Sequence, residues 1–165
     1  MEMLRKGNFQ MDEVLENATS TDDIQEYLIF TVDSIDFGIE IGLVQEIIKM
    51  QPISPVPNAL PFCKGIINIR GTIVPVIDMR LKLGFEAAEY NERTCIIITK
   101  LDSELIGVIV DMVKDVIRIL EENLSEMPAI NTDLERKSYT SKIACIDGKI
   151  KQILDVDSVF GIGAE

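Results

Sequence analysis

Two stretches of the chain repeat one pattern of apolar residues and turns. The first is FTVDSIDFGIEIGLVQEII, from Phe30 to Ile48, and the second is ITKLDSELIGVIVDMVKDVI, from Ile98 to Ile117. When Gly38 is placed on Gly107, the apolar positions that follow coincide. Alternating apolar residues broken by Asp-Ser pairs are typical of short β-strands joined by tight turns. The repeat therefore predicts two similar β units.

A second pair of segments extends the repeat. IRGTIVPVID and IDGKIKQILD match when Gly71 is placed on Gly148. The halves are predicted at about residues 26–90 and 91–160, with terminal strands that are free to cross between them. A unit of roughly 65 residues buries only about 60% of its unfolded surface and is marginal alone. We therefore expect two small β-barrels packed around a shared core.

The turns between the predicted strands are short. Asp33-Ser34, Arg70-Gly71 and Asp147-Gly148 each separate two apolar runs, as in β-hairpins. Such connections favour antiparallel meanders and leave no room for crossover helices, so helix is expected only in short pieces. The predicted strands are Tyr27–Val32, Phe37–Ile41, Ile66–Ile69, Ile73–Ile77, Cys95–Thr99, Leu105–Val110 and Ile150–Leu154.

Composition excludes several kinds of chemistry. The 165 residues include 28 Asp and Glu, 16 Lys and Arg, no His and three Cys. Without His there is no imidazole general base or metal ligand, so a Ser/His/Asp hydrolase is excluded. The net charge of −12 repels phosphate backbones, so no nucleic-acid partner is expected. Cys63, Cys95 and Cys145 form no CxxC pair, and we expect reduced, mostly buried thiols.

The ends of the chain are predicted to be tails. Residues 1–25 are polar and acidic and are expected to be a flexible N-terminal tail, with residues 161–165 as a C-terminal tail. The longest uninterrupted apolar run is Leu105–Val110, far shorter than the roughly 20 residues that span a bilayer. No signal-peptide pattern is present at the start. A cytoplasmic protein without direct membrane insertion is expected.

A polar site is predicted in the apolar hairpin IINIRGTIVPVID. Asn68 and Arg70 are two residues apart and share one face if the strand continues through both. Glu46, in a segment that reads as short helix or strand end, is a candidate to carry the opposite charge for Arg70. A partly exposed ion pair contributes under about 1 kcal/mol, so orienting a binding surface is a better reason for such a pair.

Three aspartates at predicted strand ends, Asp78, Asp111 and Asp155, suggest an alternative. They are candidates for a divalent-metal enzyme, yet capping of the short segments after Asp78 and Asp155 explains two of them without chemistry. A β-barrel that carries a small ligand is a further alternative, although a small barrel fills its interior with side chains. No catalytic residue, cofactor or metal site is assigned.

The motifs together resemble a known family. YLIFTVDSIDFGIEIGLVQEI, FCKGIINIRGTIVPVIDMR and LIGVIVDMVKDV are similar, in order and spacing, to the bacterial chemotaxis coupling proteins of the CheW family. The resemblance covers roughly Glu26 to Phe160. KGIINIRGTIVPVIDMR is its most specific part. The resemblance implies two five-stranded, SH3-like β-barrels around a shared core, with short helices.

The resemblance also implies a non-enzymatic adaptor. Its partners would be the regulatory domain of the histidine kinase CheA and the cytoplasmic tips of methyl-accepting chemoreceptors, and the protein would be recruited to membrane-associated arrays. The resemblance implies coupling roles for Arg70, Glu46 and Asn68. It implies a receptor groove that involves Val44, Gly65 and Val116, for which maintenance of the fold is the alternative reading.

Overall fold

A computed structural model describes residues 24–128 and 139–160. The predicted tails, residues 1–25 and 161–165, lie outside the described residues, except that the first strand begins at Ile24. The strands are β1 Ile24–Val32, β2 Ile35–Glu40, β3 Val44–Lys49, β4 Cys63–Ile69, β5 Thr72–Asp78, β6 Cys95–Leu101, β7 Glu104–Val110, β8 Met112–Leu120, β9 Leu124–Glu126, β10 Thr140–Ile146 and β11 Lys149–Leu154. The short helices are α1 Met79–Lys82 and α2 Val156–Phe160.

The strands form two sheets. Sheet 1 has the order β8-β1-β2-β11-β10-β9, and sheet 2 has the order β3-β6-β7-β5-β4. The predicted fold class, mainly β with two SH3-like barrels around a shared core, is confirmed. Sheet 1 has six strands rather than five, because the short β9 pairs with β10. No helix among the described residues is long and apolar enough to cross a membrane.

Each sheet combines strands from both parts of the chain: sheet 1 contains β1, β2 and β8–β11, and sheet 2 contains β3–β5, β6 and β7. β8 pairs with β1 in sheet 1, from Ile24 opposite Leu120 to Thr31 opposite Met112. β3 pairs with β6 in the same way in sheet 2. Both sheets therefore contain strands from either side of residue 90, and the boundary between the sequence halves is not a boundary between sheets.

Buried apolar residues in the described part of the chain form three clusters, of which one lies between the two sheets. A shared core between them includes Phe30 of β1 and Ile97 of β6, both fully buried. Sheet 1 also encloses a cluster around Ile29, and sheet 2 encloses one around Ile98. Alternate residues of β1 and of β6 thus enter different cores. Burial on both faces explains why consecutive residues are apolar in the middle of β1, Tyr27–Phe30, and at the start of β6, Cys95–Ile98.

The predicted two-residue turns are confirmed, but the antiparallel meander is incomplete. Val32 pairs with Ile35 across Asp33-Ser34, and the other two predicted turns have the same form. However, β5 is parallel to β7, and β11 is parallel to β2. A parallel neighbour is possible without a crossover helix here, because α1 and β6 lie between β5 and β7 in the chain.

Several elements differ from their predictions. The segment containing Glu46 is a regular strand, β3, whose residues alternate between half-buried and exposed. The apolar pattern does not predict β8 and β10, since charged and half-exposed residues interrupt both strands. The expectation of mostly buried thiols is wrong: Cys63 and Cys95 are half-buried, and Cys145 is exposed. The reason is position, because Cys63 and Cys95 begin their strands and Cys145 faces outward from β10.

An ion cluster connects three strands of sheet 1. Asp36 of β2 accepts hydrogen bonds from Lys151 Nζ at 2.7 Å and from Lys114 Nζ at 3.2 Å. Burial of Asp36 opposes its ionisation, but the hydrogen bonds and charges of Lys151 and Lys114 outweigh burial and lower the pKa of Asp36. The carboxylate is therefore stabilised in its charged form by residues of β11 and β8.

Candidate functional site

The turn between β4 and β5 presents Arg70. Arg70 and Gly71 have φ values of 49° and 90°, and Ile69 pairs with Thr72 across them. Two positive φ values suit the twist of a two-residue hairpin. The Asn68 side chain fixes the turn, since its Oδ1 accepts a hydrogen bond from the Gly71 amide at 2.8 Å. Asn68 and Arg70 do not share a strand face as expected, because the strand ends at Ile69 and the chain then turns.

Arg70 forms an ion pair with Glu46. The guanidinium of Arg70 donates to the carboxylate of Glu46 from the hairpin turn to β3. β3 and β4 are the two edges of sheet 2, so the pair joins the edges of the barrel. The Arg70 side chain is 71% exposed and that of Glu46 is 26% exposed. An ion pair this exposed contributes about 0.2–1 kcal/mol, and most of the guanidinium stays open to a partner.

Gly65 is required by the backbone around it. Gly65 is buried in β4 and has a φ of 142°. The next residue, Ile66, exchanges two backbone hydrogen bonds with Ser54, each 2.9 Å long. A Cβ atom on Gly65 would lie 2.1 Å from the Ser54 carbonyl oxygen. Gly65 therefore allows the 50–62 connection to pack on the edge of the sheet, which is a structural role that does not depend on a binding partner.

The two valines of the predicted groove have different surroundings. Val44, at the start of β3, is half-buried and packs against the shared core. Val116, in the middle of β8, has 46% of its surface exposed. The apolar pattern favours an ordinary core role for both. For Val116 that interpretation is wrong, because its side of β8 faces outward.

Exposed apolar residues recur at equivalent positions of the repeat. Ile47 of β3 and Val116 of β8 coincide when Gly38 is placed on Gly107, and they are 43% and 46% exposed. Ile73 of β5 and Ile150 of β11 coincide when Gly71 is placed on Gly148, and each is 56% exposed. The apolar pattern of each strand alone does not single out Ile47, Ile73 or Ile150. Alignment of the repeats does point to these residues, since each has an apolar residue at the equivalent position of the other repeat.

Arg80 joins the two sheets. Its Nε and one terminal nitrogen donate to the two oxygens of Asp111 at 3.0 and 2.9 Å, and the other terminal nitrogen donates to Asp33 at 3.1 Å. Asp111 hydrogen bonds and charge, with a contribution from Asp33, raise the pKa of Arg80. The same Arg80 nitrogen that reaches Asp33 also reaches the Glu86 carbonyl. This Arg80 brace connects α1, the β1–β2 turn and the end of β7.

The strand-end aspartates have structural partners. Asp78 caps α1, accepting the Arg80 amide on one oxygen, and accepts the Tyr90 hydroxyl at 2.7 Å on the other. Burial and the hydrogen bond to Asp78 raise the pKa of Tyr90. Asp155 accepts the Ser158 hydroxyl at 3.0 Å. Over residues 24–128 and 139–160, no group of three or more His, Cys, Asp and Glu is arranged to hold a metal ion.

These features define a class of protein. Two small barrels share a core, their interiors are filled by side chains, and the distinctive side chains are on the outside. The exposed ion pair and the repeated apolar residues are features of a surface that binds other proteins. A compact β module for protein contacts is the class that fold and site indicate.

Comparison with known proteins identifies the family. The model of the CheW-like domain matches residues 26–162, and the chain therefore belongs to this family. It is 33% identical to a chemotaxis protein CheW of Rhizobium meliloti over 82% of this chain and 87% of that one. A chemotaxis protein CheW of Klebsiella aerogenes is 31% identical, over 82% and 81% of the two chains.

A solved structure agrees with this assignment. The scaffolding protein TtCheW of Thermoanaerobacter tengcongensis matches with a TM-score of 0.77 and 30% identity, over 86% of this chain and 95% of that one. The resemblance seen in the sequence motifs is thereby confirmed. A scaffold role in chemotaxis is what these relatives support.

Proposed function

We propose that the protein is an adaptor that couples transmembrane chemoreceptors to the histidine kinase CheA and regulates the kinase within receptor arrays. It binds the CheA regulatory domain and the cytoplasmic tip of the receptor at the same time, in the cytoplasm, and catalyses no reaction. Coupling then arises because the kinase-on and kinase-off states make different contacts with it, since equal contacts shift no equilibrium.

The observation that carries this proposal is the Arg70–Glu46 pair. The pair is exposed and contributes little to folding, yet Asn68 and a strained two-residue turn hold Arg70 in a defined place. An ordered guanidinium of this kind suits a carboxylate or carbonyl of a partner, because it presents several donors in a fixed fork. Arg70, Glu46 and Asn68 are therefore proposed as coupling residues.

The exposed apolar residues support a second contact. Ile47 and Val116 occupy equivalent positions, as do Ile73 and Ile150, so each barrel carries a similar apolar surface. Two similar surfaces on one module suit partners that share its pseudosymmetry, as the resemblance implies for the kinase domain. We propose that Ile47, Ile73 and Ile150 contribute to the kinase contact, and that Val44, Gly65 and Val116 contribute to the receptor groove.

The test is a reconstituted signalling mixture. Purified protein is combined with receptor and CheA from the same organism, and kinase activation and binding of the CheA regulatory domain are both measured. Arg70→Gln and Glu46→Gln are expected to weaken activation about tenfold, a typical loss for an interface residue of this kind. Arg93→Gln, which also removes an exposed arginine, is the matched control and is expected to have no effect.

A charge exchange separates the two roles of the pair. If the ion pair itself is all that coupling requires, the Glu46→Arg/Arg70→Glu double variant restores activation. If Arg70 contacts a partner directly, the double variant stays inactive although its circular dichroism spectrum is unchanged. The second outcome is expected. Full activation by folded Arg70→Gln, or no binding of the CheA regulatory domain by the wild-type protein, would refute the proposal.

A further inference from the structure

A cavity of about 490 Å³ lies where sheet 1 meets the β6–β7 turn of sheet 2. Its lining includes Leu43, Leu101 and residues of β1, β10 and α2. The cavity is acidic. Among residues 24–128 and 139–160, the carboxylates that line it are Glu40, Asp102, Glu121, Asp155 and Asp157, and the one basic residue is Lys142, which donates to Glu121 at 3.2 Å.

The repeat shows what fills the equivalent place in the other half. In the two alignments described above, Asp102 corresponds to Asp33 and Asp157 corresponds to Arg80. In that other half, the Arg80 guanidinium lies between Asp33 and Asp111. Around the cavity, the position of this cation is taken by a further carboxylate. Asp111 corresponds to Gly42, so of the two carboxylates that hold Arg80 only Asp33 has an equivalent, Asp102, at the cavity. One junction of the sheets thus contains a guanidinium, and the other contains carboxylates at the positions of Asp33 and Arg80.

The Tyr27 hydroxyl points to the same kind of ligand. Tyr27 lines the cavity and is 4% exposed, and its hydroxyl has no hydrogen-bond partner among residues 24–128 and 139–160. Within these ranges every fully enclosed side-chain oxygen has a partner, so the small exposed part of Tyr27 includes its hydroxyl. Burial, and then the charges of Glu40 and Glu121, raise the pKa of Tyr27, so the hydroxyl stays neutral. A polar group this sheltered is usually satisfied by a ligand or water.

The polar lining is specific to this half of the repeat. Ile96, fully buried in sheet 2, is the equivalent of Tyr27, and the buried Ile109 is the equivalent of Glu40. Two positions that are apolar in one half are therefore polar in the other, and both line the cavity. Ile96 and Ile109 show that apolar residues can pack at these two positions of the repeat. Packing alone therefore does not require Tyr27 and Glu40.

We propose that this cavity binds a guanidinium group, either of a small free cation or of an arginine side chain that a partner presents. Asp102, the equivalent of Asp33, and Asp157, both exposed, hold the guanidinium through charge-assisted hydrogen bonds. The Tyr27 hydroxyl accepts one further hydrogen bond, and Leu43 and Leu101 contact the aliphatic part of the ligand. This inference is independent of the kinase and receptor partners proposed above.

The experiment titrates the full chain with two probes at physiological ionic strength. Agmatine represents a free guanidinium compound, and a blocked Gly-Arg-Gly peptide represents an arginine side chain. Binding is followed by amide chemical shifts in NMR spectra and is expected with a dissociation constant of about 1 mM or lower. Changes are expected around Tyr27, Asp102 and Asp157. Binding of either probe supports the site, and preference for one identifies its source.

Variants make the test specific. The Asp102→Asn/Asp157→Asn variant is expected to weaken binding about tenfold or more, since it removes both charge-assisted contacts. Asp147→Asn removes one exposed aspartate outside the cavity lining and is expected to leave binding unchanged. Tyr27→Phe, which keeps the apolar ring, is expected to weaken binding severalfold without loss of fold.

Three results would overturn the proposal. One is that neither probe binds up to about 10 mM, well above the expected dissociation constant. Another is that butylurea, a neutral relative of the guanidinium probe, binds equally well. The third is that a folded Tyr27→Phe or Asp102→Asn/Asp157→Asn variant binds agmatine as tightly as the wild-type protein.

Discussion

Replacement of Arg80 tests whether its contacts with Asp111 and Asp33 hold the two sheets together. Arg80→Gln keeps a polar side chain but removes the charge and the fork of donors. The Arg80 side chain is 18% exposed, against 31% for Asp111 and 47% for Asp33, so the contact with Asp111 is the better shielded of the two. We therefore expect most of the effect to come from Asp111.

The structure gives the magnitude. The two charge-assisted bonds to Asp111 contribute about 1.5 kcal/mol each, which is the low end of the range because both groups are partly exposed. The half-exposed contact with Asp33 adds about 0.5 kcal/mol or less. The expected loss in the free energy of unfolding is therefore about 3 kcal/mol, or a fall in Tm of about 6 to 12 °C for a protein of this size.

The assay is urea unfolding followed by circular dichroism. Arg70→Gln is the matched control, because it removes an arginine whose ion pair is exposed, and its expected loss is under about 1 kcal/mol. Combining Arg80→Gln with Asp111→Asn should give a loss smaller than the sum of the single losses, since the two residues share contacts. If Arg80→Gln is no more destabilising than Arg70→Gln, the interpretation of Arg80 as a brace is wrong.

Three further predictions concern stability and reactivity. Gly65→Ala is expected to lower the free energy of unfolding by about 3 kcal/mol or more, because Gly65 has a positive φ and its Cβ would meet the Ser54 oxygen. The control is Gly42→Ala, which has open space around it and should cost under about 1 kcal/mol in urea unfolding. Equal losses in the two variants would contradict this. Asp36 has a lowered pKa, so its stabilising effect is present at neutral pH and is lost as the pH falls below the ordinary carboxyl range. Asp36→Asn should therefore flatten the pH dependence of the free energy of unfolding between about pH 5 and 2. An unchanged pH profile would contradict the role of the ion cluster. Cys145 is exposed and should react with a thiol reagent before Cys95, because burial raises the pKa of Cys95 and slows its reaction. Mass spectrometry of the labelled peptides measures the two rates. Faster labelling of Cys95 would count against this prediction.

The elements that the sequence predicts have a strong local signal. β1 and β6 are apolar over most of their length because they are buried on both faces, and the turn at Asp147-Gly148 has a residue that accepts positive φ. β8 escapes prediction because half of it faces solvent and carries charges. The pairing of β8 with β1 and of β3 with β6 has no local signal, since the partners of these strands are decided only by how the two units pack.

The candidate site is only partly accessible from sequence. Glu46 and Arg70 are candidate partners by sequence, and the structure brings them together across the two edges of sheet 2. The predicted strand face shared with Asn68 fails because the strand ends before Arg70. The sequence does not predict the Arg80 brace, since Asp33 and Asp111 come from distant parts of the chain and only the fold brings them to Arg80.

The pairing of β1 with β8 also governs the order in which the two sheets can form during synthesis. β1 emerges early from the ribosome, but one of its two neighbours, β8, ends at Leu120. Until that residue has been made, a long apolar strand has an edge with unpaired backbone groups, which is a template for association with other chains. Such pairing between distant segments is also slow. Sheet 2 consists of β3–β7 and can pair all its strands once Val110 has been made, whereas sheet 1 also needs β8–β11 and is complete only at Leu154. The β1–β2 hairpin is made first, yet its sheet is the second to close.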